Sequence, residues 1–459
     1  MPGLPALLNW ETALKHQKLA LAIAAAVCAA PAMGQAQDEP SVAELWEIVQ
    51  QQQAELESLR AELESTRNNT REIEIQSLEV SERLEAVAEV IDSPASRSGS
   101  SWADRTTVGA YGEMLYNGET SGSSTKELDI QRFVIFLNHQ FNERLRFVSE
   151  LEIEHSYIAD DARAPGAVEM EQAYLQWDYA NNHNVLGGMY LVPIGILNET
   201  HEPATFYGVE RNRIESRIIP TTYRVNGFKF AGNLGNGFSY DLGIHEGLHF
   251  ESGNGGELAI RDSRQSGARA EMDALGYTGR VLYTGTPGLE LGLALHYQSD
   301  LTQDGSTRSN INRDGVIDVF GNPVSDISGL LTEAHISYQS GPWGLRALWA
   351  EWDIDDKIEL VANNDLSNNG LGRSEQSGYY IEPSYRFSEK FGAFVRYEFT
   401  DERQSADINA AANSATKRTL LGFNYWLHPN AVFKFDYQFE NDEANRDLDG
   451  FNLGVGWQF

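Results

Sequence analysis

The sequence predicts an all-β transmembrane barrel of 16 antiparallel strands, preceded by an α-helical coiled coil. Three observations carry this. Beyond Trp102 apolar and polar residues alternate with a period of two; the connections between the alternating segments are by turns short and long; and residues 42–91 keep one heptad register. No window approaches the roughly 20 consecutive apolar residues of a membrane-spanning helix. Barrel strands dilute hydropathy by alternating, so that absence leaves a transmembrane barrel open.

At the N-terminus, Lys15 and Lys18 precede the apolar run LALAIAAAVCAA (19–30), and PAMGQA then supplies small residues. This pattern predicts a signal peptide over residues 1–36 and hence export. The single cysteine, Cys28, lies inside the apolar run, so the mature chain would carry no disulfide. Val27 is too bulky for the position before the cysteine of a lipoprotein cleavage box.

Residues 37–100 read as a coiled-coil stalk and linker. Val42, Leu45, Val49, Gln52, Leu56, Leu59, Leu63, Thr66, Thr70, Ile73, Ser77, Val80, Leu84, Val87 and Ile91 share one seam, and eleven of these fifteen are apolar. At 1.5 Å per residue the rod would be roughly 75 Å long. The competing reading is a lone amphipathic or partly disordered linker, because an isolated narrow stripe has nothing to bury against. SPASRSGSS (93–101) reads as a flexible joint.

Residues 101–459 form the predicted barrel. In AVFKFDYQF (431–439), Ala431, Phe433, Phe435, Tyr437 and Phe439 fall on one face, and Lys434, Asp436 and Gln438 on the other. Sixteen such segments begin near 107, 127, 144, 168, 184, 224, 238, 270, 288, 329, 343, 375, 391, 416, 431 and 450. FNERL, YANNHN, LGNGF, TGTPG, SGPWG, SEKFG and LHPN are short turns, and the connections between them are long, as for periplasmic turns and extracellular loops. With an even strand number both barrel ends face the periplasm, which puts the stalk there. Phe141, Trp177, Tyr179, Tyr283, Phe387 and Trp426 near the short turns match an interfacial aromatic girdle. A soluble sandwich or propeller would give less reason for such loop asymmetry.

The segment HEPATFYGVERNRIESRIIP (201–220) gathers Arg211, Arg213 and Arg217 in a chain whose formal net charge is -32. The longer stretch VPIGILNETHEPATFYGVERNRIESRIIPTTY (192–223), with SELEIEH (149–155) and IRDSRQSGARA (260–270), resembles the phosphate-selective porin O and P family over about residues 105–459. The stalk looks like the N-terminal coiled coil of related trimeric, acid-transporting porins. The resemblance implies a homotrimer of sixteen-stranded barrels in the outer membrane. Each barrel would have its own pore, narrowed by an inward-folded third loop at about 195–223.

On this reading Arg211, Arg213 and Arg217 are pore groups. Alternation turns Arg132, Arg146, Arg280, Arg346, Arg386, Arg396 and Arg418, with Lys434, toward the lumen, and rings of guanidinium favour phosphate or carboxylate anions. Bland readings stand beside both sets. The wall arginines could pair with Glu150, Glu152, Glu154, Glu382 and Glu398, and the loop arginines with Glu199, Glu202, Glu210 and Glu215. Phe206 and Tyr207 would pack the loop against the wall.

The expected partners are outer-membrane lipid, small anionic solutes and two further copies of the chain, with no nucleic acid. No catalytic residue, cofactor or metal is expected: GxSxG, HExxH and GxxxxGK[ST] are absent. His201 beside Glu202 reads as a hydrogen-bonding loop pair. NINRDG (310–315) lacks the glutamate of a calcium loop, since Gly321 stands in its place. The function expected is passive diffusion of small hydrophilic solutes, preferring anions such as phosphate or organic acids. A general or weakly cation-preferring pore with a structural stalk is the alternative, because residues 41–92 hold thirteen acids and four bases, net -9, leaving much negative charge around the barrel. An outer-membrane hydrolase with scattered catalytic residues is a more remote reading.

Overall fold

The computed structural model describes residues 102–119, 126–158, 166–250, 259–303, 316, 322, 324–360, 373–403, 415–442 and 449–459. The signal peptide, the coiled coil and the NINRDG segment lie outside these.

Sixteen strands follow in chain order: β1 Thr106–Glu119, β2 Glu127–Asn142, β3 Leu145–Glu154, β4 Ala167–Ala180, β5 His183–Leu191, β6 Arg224–Gly235, β7 Phe238–His245, β8 Gly276–Thr286, β9 Leu289–Gln298, β10 Gly329–Ser340, β11 Trp343–Ile354, β12 Glu375–Arg386, β13 Phe391–Asp401, β14 Thr416–His428, β15 Ala431–Asp442 and β16 Gly450–Gln458. Each pairs antiparallel with its sequence neighbours, and β1 pairs with β16 from Tyr111↔Gln458 to Glu119↔Gly450, closing the barrel. Closure removes the unpaired edge that an open sheet would present.

Alternation decides which way each side chain points. On β9, Leu291, Leu293, Leu295 and Tyr297 face outward and are exposed, while Ala294, His296 and Gln298 are buried inside. The outer face is thus apolar and the inner face mixed, the reverse of a water-soluble barrel. No helix among the described residues is long and apolar enough to cross a membrane.

Two sequence expectations need correction. Alternation places the eighth strand from about 270, but it begins at Gly276. Its partner β7 ends at His245, opposite Gly276, so residues 270–275 have no strand to pair with. They are held by amide side chains instead: Glu271 N donates to Gln265 Oε1 (2.6 Å) and Ala274 N to Gln303 Oε1 (2.8 Å). Trp426 does not join an outer girdle. Leu421, Phe423, Tyr425 and Leu427 take the outer positions of β14, so parity turns Trp426 inward, where it is buried beneath Tyr207 and Arg386.

The inside of the barrel is also less polar than alternation suggests. Leu348, Ala350, Trp352 and Ile354 of β11 are buried inward and join Ile214, Ile218 and Ile219 of the 192–223 connection in one apolar cluster, with Leu248, Phe250 and Ile260 of the next connection. Each large side chain so buried stabilises by about 1.5–3 kcal/mol relative to exposure. Trp352 Nε1 donates to Ile218 O (2.8 Å), satisfying the one polar atom of that ring.

The 192–223 connection lies against the inner wall across much of the circumference. Val209 N donates to Asp436 Oδ2 on β15 (2.7 Å), Lys434 Nζ to Gly208 O (2.9 Å), Asn424 Nδ2 on β14 to Phe206 O (3.1 Å), and Arg213 N to Glu398 Oε2 on β13 (3.1 Å). Phe206 and Tyr207 pack as expected, Phe206 beneath the Lys434 ammonium and Tyr207 against Phe394 and Trp426.

Glycine on β16 permits the close approach at the start of this path: a Cβ on Gly456 would run into Pro203. Gly456→Val is therefore expected to leave the barrel folded, as read by its heat-modifiable gel mobility, while raising open-channel current noise. Quiet currents would show that the wall and Pro203 tolerate the added methyls.

Candidate functional site

The arginines singled out from sequence divide into two groups by what they touch. On the wall, Arg132 meets Glu113 (2.7 Å) and Glu152 (3.7 Å), and Arg280 meets Glu199 (2.6 Å) and Asp241 (2.7 Å). Arg396, only 1% exposed, bridges Glu398 (2.6 Å) and Glu382 (3.0 Å) and reaches the loop carbonyls of Tyr207 and Glu210 (3.3 Å each). Arg418 lies 3.9 Å from Glu440, and Arg146 lies 3.6 Å from Asp178 on a more open part of the wall. Arg346 donates to Thr205 O (2.9 Å), while Arg386 donates to Glu389 O (2.6 Å) and stacks on Trp426. Most of these side chains therefore neutralise carboxylates or anchor backbone, and do not form a ring of free charge.

The loop arginines behave differently from the salt-bridged alternative as well. Arg213 pairs with Glu440 of β15 (2.7 Å) and with none of the loop acids. Glu215 is occupied by Ile196 N (2.6 Å), Leu197 N (2.5 Å) and Asn212 Nδ2 (2.8 Å), and Glu210 accepts from Asn117 Nδ2 (2.6 Å). Glu199 serves Lys229 and Arg280; burial raises its pKa, but those two cations outweigh it and hold the carboxyl at about 2. Among the described residues Arg211 donates one hydrogen bond, to Thr222 Oγ1 at 3.2 Å, and its buried Nε and Nη2 have no hydrogen-bond partner. Arg217 is exposed and makes no ion pair among the described residues.

Three further arginines complete the positive cluster. Arg261 Nη1 donates to Ser216 O (3.2 Å) and Thr221 O, and Arg264 Nη1 donates to Thr222 O (2.9 Å) and Pro220 O (3.4 Å). Arg224, at the start of β6, meets Glu169. Burial and then Arg132 lower Arg211 to about 10; burial and then Arg261, Arg224 and Arg211 lower Arg264 to about 10. Burial and then Arg217 lower Arg261. Burial is the larger cause in each case and neighbouring guanidiniums add to it; values near 10 leave Arg211 and Arg264 charged at neutral pH. Sequence reasoning misses Arg261 and Arg264 as site residues, although IRDSRQSGAR concentrates cations much as 211–217 does.

An acidic strip runs along the neighbouring strands. Glu150, Glu152 and Glu154 of β3 and Glu169 and Glu171 of β4 form two close groups of possible ligands, the first including His201. His201 Nδ1 reaches Asn198 O within the loop (3.1 Å), but its Nε2 faces Glu171 (3.5 Å), so the partner is not the adjacent Glu202 expected from sequence.

No family model matches the chain. An uncharacterized protein of Aquifex aeolicus is 27% identical over 367 residues, covering 77% of this chain and 80% of that protein. Among solved structures, Salmonella typhi OmpF in complex with daunomycin superposes with a TM-score of 0.50 at 16% identity, over 77% of this chain and 97% of that chain. The outer membrane channel DcaP of Acinetobacter baumannii gives 0.49 at 12% identity, over 77% and 97%. The likeness to OmpF shows a shared barrel fold.

Proposed function

We propose that the chain is an outer-membrane porin for passive diffusion of small hydrophilic solutes, with a preference for anions such as phosphate or organic acids. The carrying observation is the cluster Arg211, Arg217, Arg261 and Arg264 on the connections folded inside the barrel, none of which pairs with a carboxylate among the described residues. Charge held inside a closed, outwardly apolar barrel acts on whatever crosses it. On this reading the protein is a homotrimer, residues 1–36 are a signal peptide, and residues 37–100 form a periplasmic coiled-coil stalk.

One observation favours a weakly cation-preferring pore instead: the strip Glu150, Glu152, Glu154, Glu169 and Glu171, in a chain of net charge -32. Reconstitution in planar bilayers separates the readings. Trimeric anion-preferring pores give conductance steps in threes and a reversal potential in a salt gradient of the sign set by anions, with phosphate or a dicarboxylate reducing chloride current. The opposite sign supports the cation reading, and an electrically silent protein overturns both.

A further inference from the structure

We propose that Glu150, Glu171 and His201 form a divalent-metal site that clamps the 192–223 connection to the barrel wall. The three residues are 3%, 0% and 3% exposed, and each offers a ligand atom within 4.8 Å of the others. A buried group of acids alone would carry nothing. Here both carboxylate oxygens of Glu171 and the Nε2 of His201 are buried without a hydrogen-bond partner, a state that costs free energy unless something else meets them.

The backbone brings these groups together by a bulge. On β3 and β4 the register passes from Glu150↔Gln172 to Leu151↔Met170, so Glu171 stands opposite no residue. The extra residue turns two consecutive side chains, Glu171 and Gln172, toward the inside, as bulges beside functional groups do. Gln172 Nε2 then donates to Glu150 Oε2 (2.6 Å), orienting that carboxylate.

The imidazole is set for ligation from the other side. The Asn198 carbonyl can only accept, so Nδ1 carries the proton in their 3.1 Å contact, and a neutral ring presents the Nε2 lone pair to Glu171. Fixing one ring nitrogen on a carbonyl is the usual support for a metal-binding histidine. Two ligand atoms each about 2.1 Å from a tetrahedral ion stand roughly 3.4 Å apart, and Nε2 lies 3.5 Å from Glu171 Oε2.

Arg132, the nearby guanidinium, forms its ion pairs with Glu113 (2.7 Å) and Glu152 (3.7 Å) and not with Glu150 or Glu171. One imidazole with two carboxylates suits zinc or a similar borderline ion, whereas calcium takes six to eight oxygens.

The test uses the purified full chain in detergent, stripped with a chelator and dialysed against zinc chloride, with bound metal counted per chain. One zinc per chain is expected, at least tenfold tighter than calcium, with a higher unfolding temperature. Glu171→Gln and Glu150→Gln should each weaken zinc binding at least tenfold in protein that keeps the gel mobility of the folded barrel. His201→Ala should do the same; if it does not fold, the two glutamine variants decide. Wild-type protein that binds no zinc overturns the site, and so do folded variants that bind it as wild type does. In that case Glu171 and His201 meet only as a contact pair at 3.5 Å. Neither result depends on whether the barrel conducts.

Discussion

Replacing Arg211 and Arg217 together by Gln shifts the reversal potential in a salt gradient toward cations while conductance changes less. Both side chains lack a carboxylate partner among the described residues, so their removal takes away net positive charge without orphaning an acid. A unit charge about 4 Å from an ion in water acts with about 1 kcal/mol, roughly a five-fold change in the anion-to-cation permeability ratio, which sets the scale expected for the exposed Arg217. The shift should be greatest at 0.01 M salt, where the Debye length is about 30 Å, and should shrink at 1 M, where it is about 3 Å. Arg213→Gln is the contrast. That side chain is held by Glu440 at 2.7 Å, so its loss is expected to change current noise more than selectivity. An unchanged reversal potential in the double variant at low salt would refute the loop cluster as the selectivity element.

The barrel is legible in the sequence because one physical rule governs each strand: an apolar outer face against a different inner face imposes a period of two. Every strand except β8 begins within one residue of where alternation places it. The interior follows no such rule. The chemistry of Trp426 suggests a girdle residue, yet its parity with Phe423 and Tyr425 already turns it inward. The apolar inner face of β11 has meaning only once Ile214 and Ile218 are known to lie on it.

The partners of the arginines are remote in sequence, Arg213 with Glu440 and Arg396 with the carbonyls of Tyr207 and Glu210, so no local pattern could assign them. The bulge at Glu171 is hidden for a different reason. EMEQAY holds no glycine or proline to mark it, and it shows only in the register with β3.

Arg396→Met is expected to give the largest loss of stability on the wall. Arg396 is buried between Glu382 and Glu398, and methionine roughly keeps its volume while removing its charge and every donor. Two buried carboxylates are then left facing each other, and breaking a buried pair from one side costs about 3–5 kcal/mol. The variant also loses the donors to Tyr207 O and Glu210 O, so the loop should come away from β13 and the current should become noisy. A lowered denaturant midpoint alone would not separate lost packing from orphaned charge. The combination of Arg396→Met with Glu382→Gln and Glu398→Gln does so. Neutral amides leave no unpaired charge, and the amide oxygen introduced by Glu398→Gln can still accept from Arg213 N, so the triple variant should regain much of the midpoint that the single variant loses. It should not regain quiet currents, because the two loop carbonyls still lack their donor. Recovery of both would place loop anchoring in the remaining contacts, Lys434 to Gly208 and Asn424 to Phe206. A single variant as stable as wild type would mean that water already screens the trio.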